Sequence, residues 1–170
     1  MGKSILITGG ARSGKSAFAE RVCVEFGAPM IYIATTEVQD DEMAQRVAKH
    51  RDRRDENWRL IEEPIDLPKA LTETDGEGPR LIDCLTIWLS NLMFSDHDWE
   101  IEVNRLTQTL AKQSSPVILV TNEVGGGIVP ENAVARRFRD AAGLTNQRVA
   151  AAADEVWLVV SGCPLKVKPQ

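Results

Sequence analysis

An apolar run, Ile5-Leu6-Ile7, leads through Thr8 into Gly9-Gly10-Ala11-Arg12-Ser13-Gly14-Lys15-Ser16, and from there into a stretch with helical character. This segment satisfies G-x-x-x-x-G-K-[ST], and its place between a strand pattern and a helix pattern is the setting that motif requires. The glycines let the main chain turn so that successive N–H groups converge on phosphates, while the start of the following helix adds positive potential. Lys15 is expected to reach the β and γ phosphates, and the Ser16 hydroxyl to bind Mg2+. A loop of this kind works only at the carboxyl end of a strand that feeds a helix, so it commits the chain to the α/β class.

The remaining sequence agrees with that commitment. Short aliphatic runs at Ser4–Thr8, Met30–Ala34, Arg80–Cys84, Val117–Asn122 and Glu155–Val160 alternate with helical stretches at Gly14–Phe26, Asp40–Arg54, Asp66–Thr74, Glu100–Ser114 and Glu131–Ala153. Nearly continuous apolar strands separated by helices predict a mainly parallel sheet covered on both faces, a three-layer sandwich of the P-loop NTPase kind. Gly143 is a point where the last helix could break in two. The turn signal Ser161-Gly162-Cys163-Pro164 predicts that Leu165–Lys168 returns as an antiparallel edge strand. Thr74-Asp75-Gly76-Glu77-Gly78-Pro79 is a turn cluster too short to link domains, so residues 1–170 are expected to form a single nucleotide-binding transferase domain.

Composition narrows the function. A net charge of -5 disfavours a general nucleic-acid face, so any anion site must be local. Cys23, Cys84 and Cys163 are scattered and odd in number, which suggests neither a disulfide framework nor a zinc site. The amino-terminal apolar stretch is too short for a signal peptide, and no run approaches the roughly 20 residues of a membrane span. A cytoplasmic protein is expected.

Ligands of open α/β sheets bind beyond the carboxyl ends of the strands, which focuses attention there. Asp83 ends the run Leu81-Ile82-Asp83 and is the expected metal-facing carboxylate beside Ser16, the alternative being a cap on the next helix. Ala34, Thr35 and Thr36, at and after the end of the second strand, are expected near the nucleotide, with helix capping as the alternative for the threonines. Asn122 and Glu123 open a second glycine-rich loop through Gly125-Gly126-Gly127, placed to sense phosphate or orient an acceptor hydroxyl unless it is only a mobile connection. Asp40, Asp41 and Glu42 read as helix-start acids. His97, in a polar loop, receives no role.

The other histidine has more distinctive surroundings. Arg46, His50, Arg53 and Arg54 recur at helical spacing and share one face of a helix that is basic in an otherwise acidic chain. Neighbouring cations favour the neutral imidazole, whose ordinary pKa is about 6.5. Such a ring nitrogen is able to attack the α-phosphate of a nucleotide while the arginines neutralise departing pyrophosphate. On residue types alone, a solvated basic face is the commoner use of such a helix.

These motifs together resemble the bifunctional adenosylcobinamide kinase / adenosylcobinamide-phosphate guanylyltransferase family of cobalamin biosynthesis. The resemblance runs through Ile7–Ser16, Tyr32–Thr35, Asp40–Met43, Lys49–Arg51, Val120–Gly125 and Ala153–Gly162. It implies phosphorylation of adenosylcobinamide with ATP or GTP, then transfer of GMP from GTP through a guanylyl-histidine, giving adenosylcobinamide-GDP. By the same resemblance His50 is the nucleophile, and Arg51, Asp52, Arg53, Arg54, Glu62 and Asp83 belong to the guanine nucleotide site. It also implies a homotrimer with the corrinoid between subunits. Some relatives carry Glu in place of Asp83 and a second His in place of Lys49. From the residues alone, a kinase of another small alcohol or a non-enzymatic P-loop switch are the competing readings.

Overall fold

The computed structural model describes residues 1–36 and 56–169. In chain order the elements are β1 (Ser4–Gly9), α1 (Lys15–Val24), β2 (Met30–Ala34), β3 (Trp58–Glu62), α2 (Leu67–Glu73), β4 (Arg80–Asp83), α3 (Leu85–Met93), α4 (Trp99–Leu110), β5 (Val117–Val120), α5 (Ala133–Ala152), β6 (Glu155–Val160) and β7 (Cys163–Lys168). The strands form one 7-stranded sheet in the order β3-β2-β4-β5-β1-β6-β7. All neighbours are parallel except β6 and β7. The expected three-layer α/β sandwich with an antiparallel carboxyl-terminal edge is therefore present.

Strand alternation divides the core. Ile5, Ile7, Tyr32, Leu81, Ile118 and Val120 point to the face covered by α1 through Ala19, Val22 and Cys23. Leu6, Ile31, Ile33, Ile82 and Leu119 point the other way, onto Leu67, Leu71, Leu85, Trp88, Leu106 and Val149 from α2 to α5. Because both faces are covered, the central strands lack the polar alternation of a half-exposed sheet.

Three details depart from the sequence reading. The edge strand β3 was not expected; it pairs in parallel with β2, from Met30 opposite Trp58 to Ala34 opposite Glu62. Helix α3 also gave no signal, because Leu-Thr-Ile-Trp-Leu-Ser-Asn-Leu-Met has no charged residue and hence no polar stripe to reveal its period. Its Trp88 is fully buried and donates Nε1–H to the Ile65 carbonyl at 2.7 Å. Gly143 does not break α5, which runs uninterrupted from Ala133 to Ala152. The helix expected over Asp40–Arg54, with Asp40, Asp41 and Glu42 at its start, lies outside the described residues.

Polar clusters hold the amino edge of the sheet and the outer hairpin. Arg80, fully buried, reaches Asp75 at 3.0 Å and also bonds Gln113. Asp75 in turn accepts from the N–H groups of Ser114 and Ser115 and from the Ser114 hydroxyl. On the other side, Lys168 of β7 donates to the carbonyls of Ala150, Ala151 and Ala153, closing the end of α5. Among the described residues no helix is long and apolar enough to cross a membrane.

Candidate active site

The phosphate loop springs from the end of β1, a central strand. A Cβ on Gly9 would lie 2.5 Å from the Val159 carbonyl oxygen and 2.6 Å from Ser13 Oγ, so only glycine fits where β1 passes β6. Arg12 and Gly14 take positive φ, 56° and 94°. Gly14 occupies the cap position of α1, and no side chain bonds the helix's first amides there. At α2, α4 and α5, by contrast, Asp66, Asp98 and Asn132 cap the first turn. The opening N–H groups of α1, with no acidic residue in its first turn, are thus left for an anion. The hydroxyls of Thr8 and Ser13 are buried with no partner among the described residues.

Lys15 folds back over this loop. Its Nζ donates to the Gly10 carbonyl at 3.0 Å, and only 8% of the residue is exposed. Burial is the main cause that lowers its pKa, and the Asp83 carboxylate acts against it. Asp83 ends β4 and accepts from the Tyr32 hydroxyl at 3.1 Å. It does not cap α3, where Cys84 holds the cap position and no side-chain cap forms. Cys84 itself is a neutral thiol, pushed up to about 11 by burial.

Register aligns the other expected residues. Glu62, Ala34 and Asp83 stand side by side at the carboxyl ends of β3, β2 and β4, and Val120 of β5 continues the row. Alternation along each strand turns Glu62, Ala34 and Asp83 to the α1 face, the face of Lys15. Glu62 is exposed at the rim. Thr35 is fully buried, and its hydroxyl both donates to the Cys84 carbonyl and accepts from the Cys84 N–H, each at 2.8 Å. Its side chain therefore ties the end of β2 to the end of β4. Thr36 is half-buried next to it.

The loop after β5 meets the phosphate loop directly. The Glu123 N–H donates to the Gly9 carbonyl at 3.0 Å. Beneath it runs a polar network absent from the sequence reading: Thr121 donates to Asn146 at 2.7 Å, Asn146 donates to the Asn122 carbonyl at 3.2 Å, and Thr86 accepts from the Asn122 N–H at 2.8 Å. Thr86 and Asn146 come from α3 and α5, so sequence separation hid them. Exposed Ile128 and Val129 lie further along the same loop. His50, Arg51, Asp52, Arg53 and Arg54 fall outside the described residues.

The donor set suits a particular kind of metal. No group of three or more His, Cys, Asp or Glu side chains able to hold a metal ion occurs among the described residues. Ser16 and Asp83 instead offer one hydroxyl and one carboxylate next to the phosphate loop. That matches Mg2+, which keeps several waters and takes few protein ligands besides phosphate oxygens.

A parallel sheet with this strand–glycine loop–helix at its centre defines a P-loop NTPase-like α/β protein. Similarity to solved structures supports the fold alone: flagellar accessory protein FlaH from Methanocaldococcus jannaschii superposes with a TM-score of 0.55 at 13% identity, over 98% of this chain and 78% of that one. A protein from Pyrococcus horikoshii OT3 gives 0.58 at 7% identity, over 98% and 88%. Sequence comparison is more specific, because residues 5–167 match the family described as cobinamide kinase / cobinamide phosphate guanyltransferase. The chain belongs to this family of enzymes. It is 45% identical to the bifunctional adenosylcobalamin biosynthesis protein CobU of Salmonella typhimurium, over 96% of this chain and 99% of the relative. Identity is 46% to CobU of Escherichia coli K12, with the same coverage, and 42% to CobP of Pseudomonas aeruginosa, over 96% of each chain.

Proposed function

We propose that this chain phosphorylates the aminopropanol hydroxyl of adenosylcobinamide and then transfers GMP to the new phosphate, giving adenosylcobinamide-GDP. The observation that carries the reading is the match to bifunctional relatives over nearly the whole of both chains. The phosphate loop supplies its physical basis, with uncapped helix amides and a buried ammonium at one place.

In the first step the substrate hydroxyl oxygen attacks the γ-phosphorus of ATP or GTP, the bond to the β–γ bridging oxygen breaks, and the hydroxyl proton is released to a base. Gly9, Gly10, Ala11, Arg12, Ser13, Gly14 and Lys15 hold the phosphates, and Lys15 neutralises charge on the departing diphosphate. Ser16 and Asp83 would hold Mg2+, which when bound shields the phosphate oxygens. Ala34, Thr35 and Thr36 wall the site beyond β2. In the second step a His50 ring nitrogen attacks the α-phosphorus of GTP and pyrophosphate leaves. A phosphorus–nitrogen bond thus forms as the α–β phosphoanhydride breaks, and an oxygen of the first product's phosphate then attacks the same phosphorus and breaks that phosphorus–nitrogen bond. Arg51, Asp52, Arg53, Arg54 and Glu62 serve the guanine nucleotide in this reading. The enzyme works as a cytoplasmic homotrimer.

Mass spectrometry of the protein after incubation with Mg·GTP tests the second step. A guanylyl adduct on His50, labile to acid and stable to alkali, is the expected result, and His50→Ala should lose the adduct while still phosphorylating adenosylcobinamide. An undiminished adduct in that variant removes His50 from the mechanism. Wild-type protein that phosphorylates a different alcohol and never takes up guanylate would make it a simple kinase.

A further inference from the structure

The connection between β6 and β7 touches the phosphate loop from outside. Val160 pairs with Cys163, so Ser161 and Gly162 alone make the turn. Both take positive φ, 50° and 83°, as a type I′ hairpin turn requires. The Gly162 N–H donates to the Ser13 carbonyl at 2.8 Å. The approach is close: a Cβ on Gly14 would lie 3.3 Å from Gly162 Cα.

The Ser13 carbonyl and the Gly14 N–H belong to one peptide plane and, in a trans peptide, point in opposite directions. A donor fixed on that carbonyl therefore fixes the direction of the Gly14 N–H. Two further carbonyls of the loop are engaged, Gly9 by the Glu123 N–H and Gly10 by Lys15 Nζ and the Ser13 N–H. Of these three carbonyls, that of Ser13 is the one bonded by the β6–β7 turn. The turn is itself anchored remotely, where Lys168 closes α5.

We propose that Gly162 is a positioning residue for nucleotide binding: its N–H, presented by the β6–β7 turn, orients the Ser13–Gly14 peptide so that the Gly14 amide faces the phosphates. The inference rests on reading Gly9–Ser16 as the nucleotide's phosphate site. It makes the Gly162 N–H part of the binding apparatus, and gives the positive φ of that residue a purpose beyond reversing the chain.

Calorimetric titration of Mg·ADP into the full chain separates the two ideas. Wild-type protein that binds no ADP would refute the nucleotide reading and this inference with it. Given wild-type binding, Gly162→Ala, which strains a positive-φ position, is expected to weaken ADP about tenfold, the scale of one misdirected hydrogen bond to a charged group. Ser161→Asn keeps the turn type and should leave affinity unchanged. Lys168→Met loosens the far end of the same hairpin and should lower the melting temperature without weakening ADP. Unaltered affinity in Gly162→Ala, or a loss in Lys168→Met as large as that in Gly162→Ala, overturns the proposal. Should Gly162→Ala not fold, amide exchange in the wild type decides. Protection of the Gly162 N–H, with its resonance moving alongside that of Gly14 as ADP is added, supports the positioning role; exchange at the rate of an open turn refutes it.

Discussion

Asp75 and Glu155 are carboxylates whose surroundings work against one another. Burial acts to raise the pKa of Asp75, but the amides of Ser114 and Ser115, the Ser114 hydroxyl and Arg80 prevail and hold it down at about 2. Burial also opposes the bonds from Lys3, Lys166 and Trp157 to Glu155, and again the carboxylate ends near 2. An unfolded Asp or Glu titrates near 4. Because the folded values are depressed, the stability these groups contribute is complete above the unfolded pKa and is lost as the pH falls from about 4 towards 2. Asp75→Asn should therefore be less stable than wild type at neutral pH and show a shallower loss between pH 4 and 2, measured by urea unfolding across that range. Equal acid slopes for the two proteins would contradict the assignment. The sequence offered Thr74–Pro79 only as a turn; that Asp75 joins it to Ser114 and Ser115 depends on the fold bringing distant segments together. Thr35 teaches the same lesson within the site. Its position beyond β2 was legible, while the commitment of its hydroxyl to Cys84 was not.

At the scale of elements, helices with a polar stripe announced themselves and the one without did not. Helix α4 sets Glu100, Asn104 and Thr107 against the buried Val103, Leu106 and Leu110, and its period reads clearly. Helix α3 lacks that contrast, yet it supplies Trp88 to the core and Thr86 to the network beneath the Asn122 loop. Trp88→Phe should cost about 1–3 kcal/mol, since it fills most of the space but deprives the Ile65 carbonyl of its donor. Trp88→Ala should cost about 3–5 kcal/mol through the added cavity. Denaturant midpoints of the two variants check the order, and equal losses would mean that the indole N–H carries the entire effect. Strand β3 was hidden for another reason. Trp-Arg-Leu-Ile-Glu carries charge on an exposed edge, and only pairing with β2 makes it a strand.

Across the whole molecule, the Arg80–Asp75 anchor and the proposed nucleotide site lie at opposite ends of the sheet. Arg80 and Asp75 hold the amino edge, while Gly9, Ala34, Asp83 and Glu62 meet at the carboxyl edge. Mg·ADP at a hundredfold excess over its Kd should therefore raise the stability of the entire domain by about 2.7 kcal/mol. The melting temperature should rise accordingly in wild type and hardly at all in Lys15→Met; an equal rise in both would place the nucleotide elsewhere. Local chemistry made much of this architecture readable in the chain. The glycine-rich octet between a strand and a helix, together with unbroken aliphatic strands, admits few arrangements other than a covered parallel sheet, because each feature acts through neighbours in sequence. Contacts across long separations could not be read that way. The row Glu62-Ala34-Asp83 arises from strand register, the Thr86–Asn122–Asn146 network from helix packing, and the grip of Gly162 on Ser13 from a hairpin folded against a loop nearly the full chain length away. Hydrogen-bond partners so far apart are chosen by how the layers stack, so they exist only once the chain has folded.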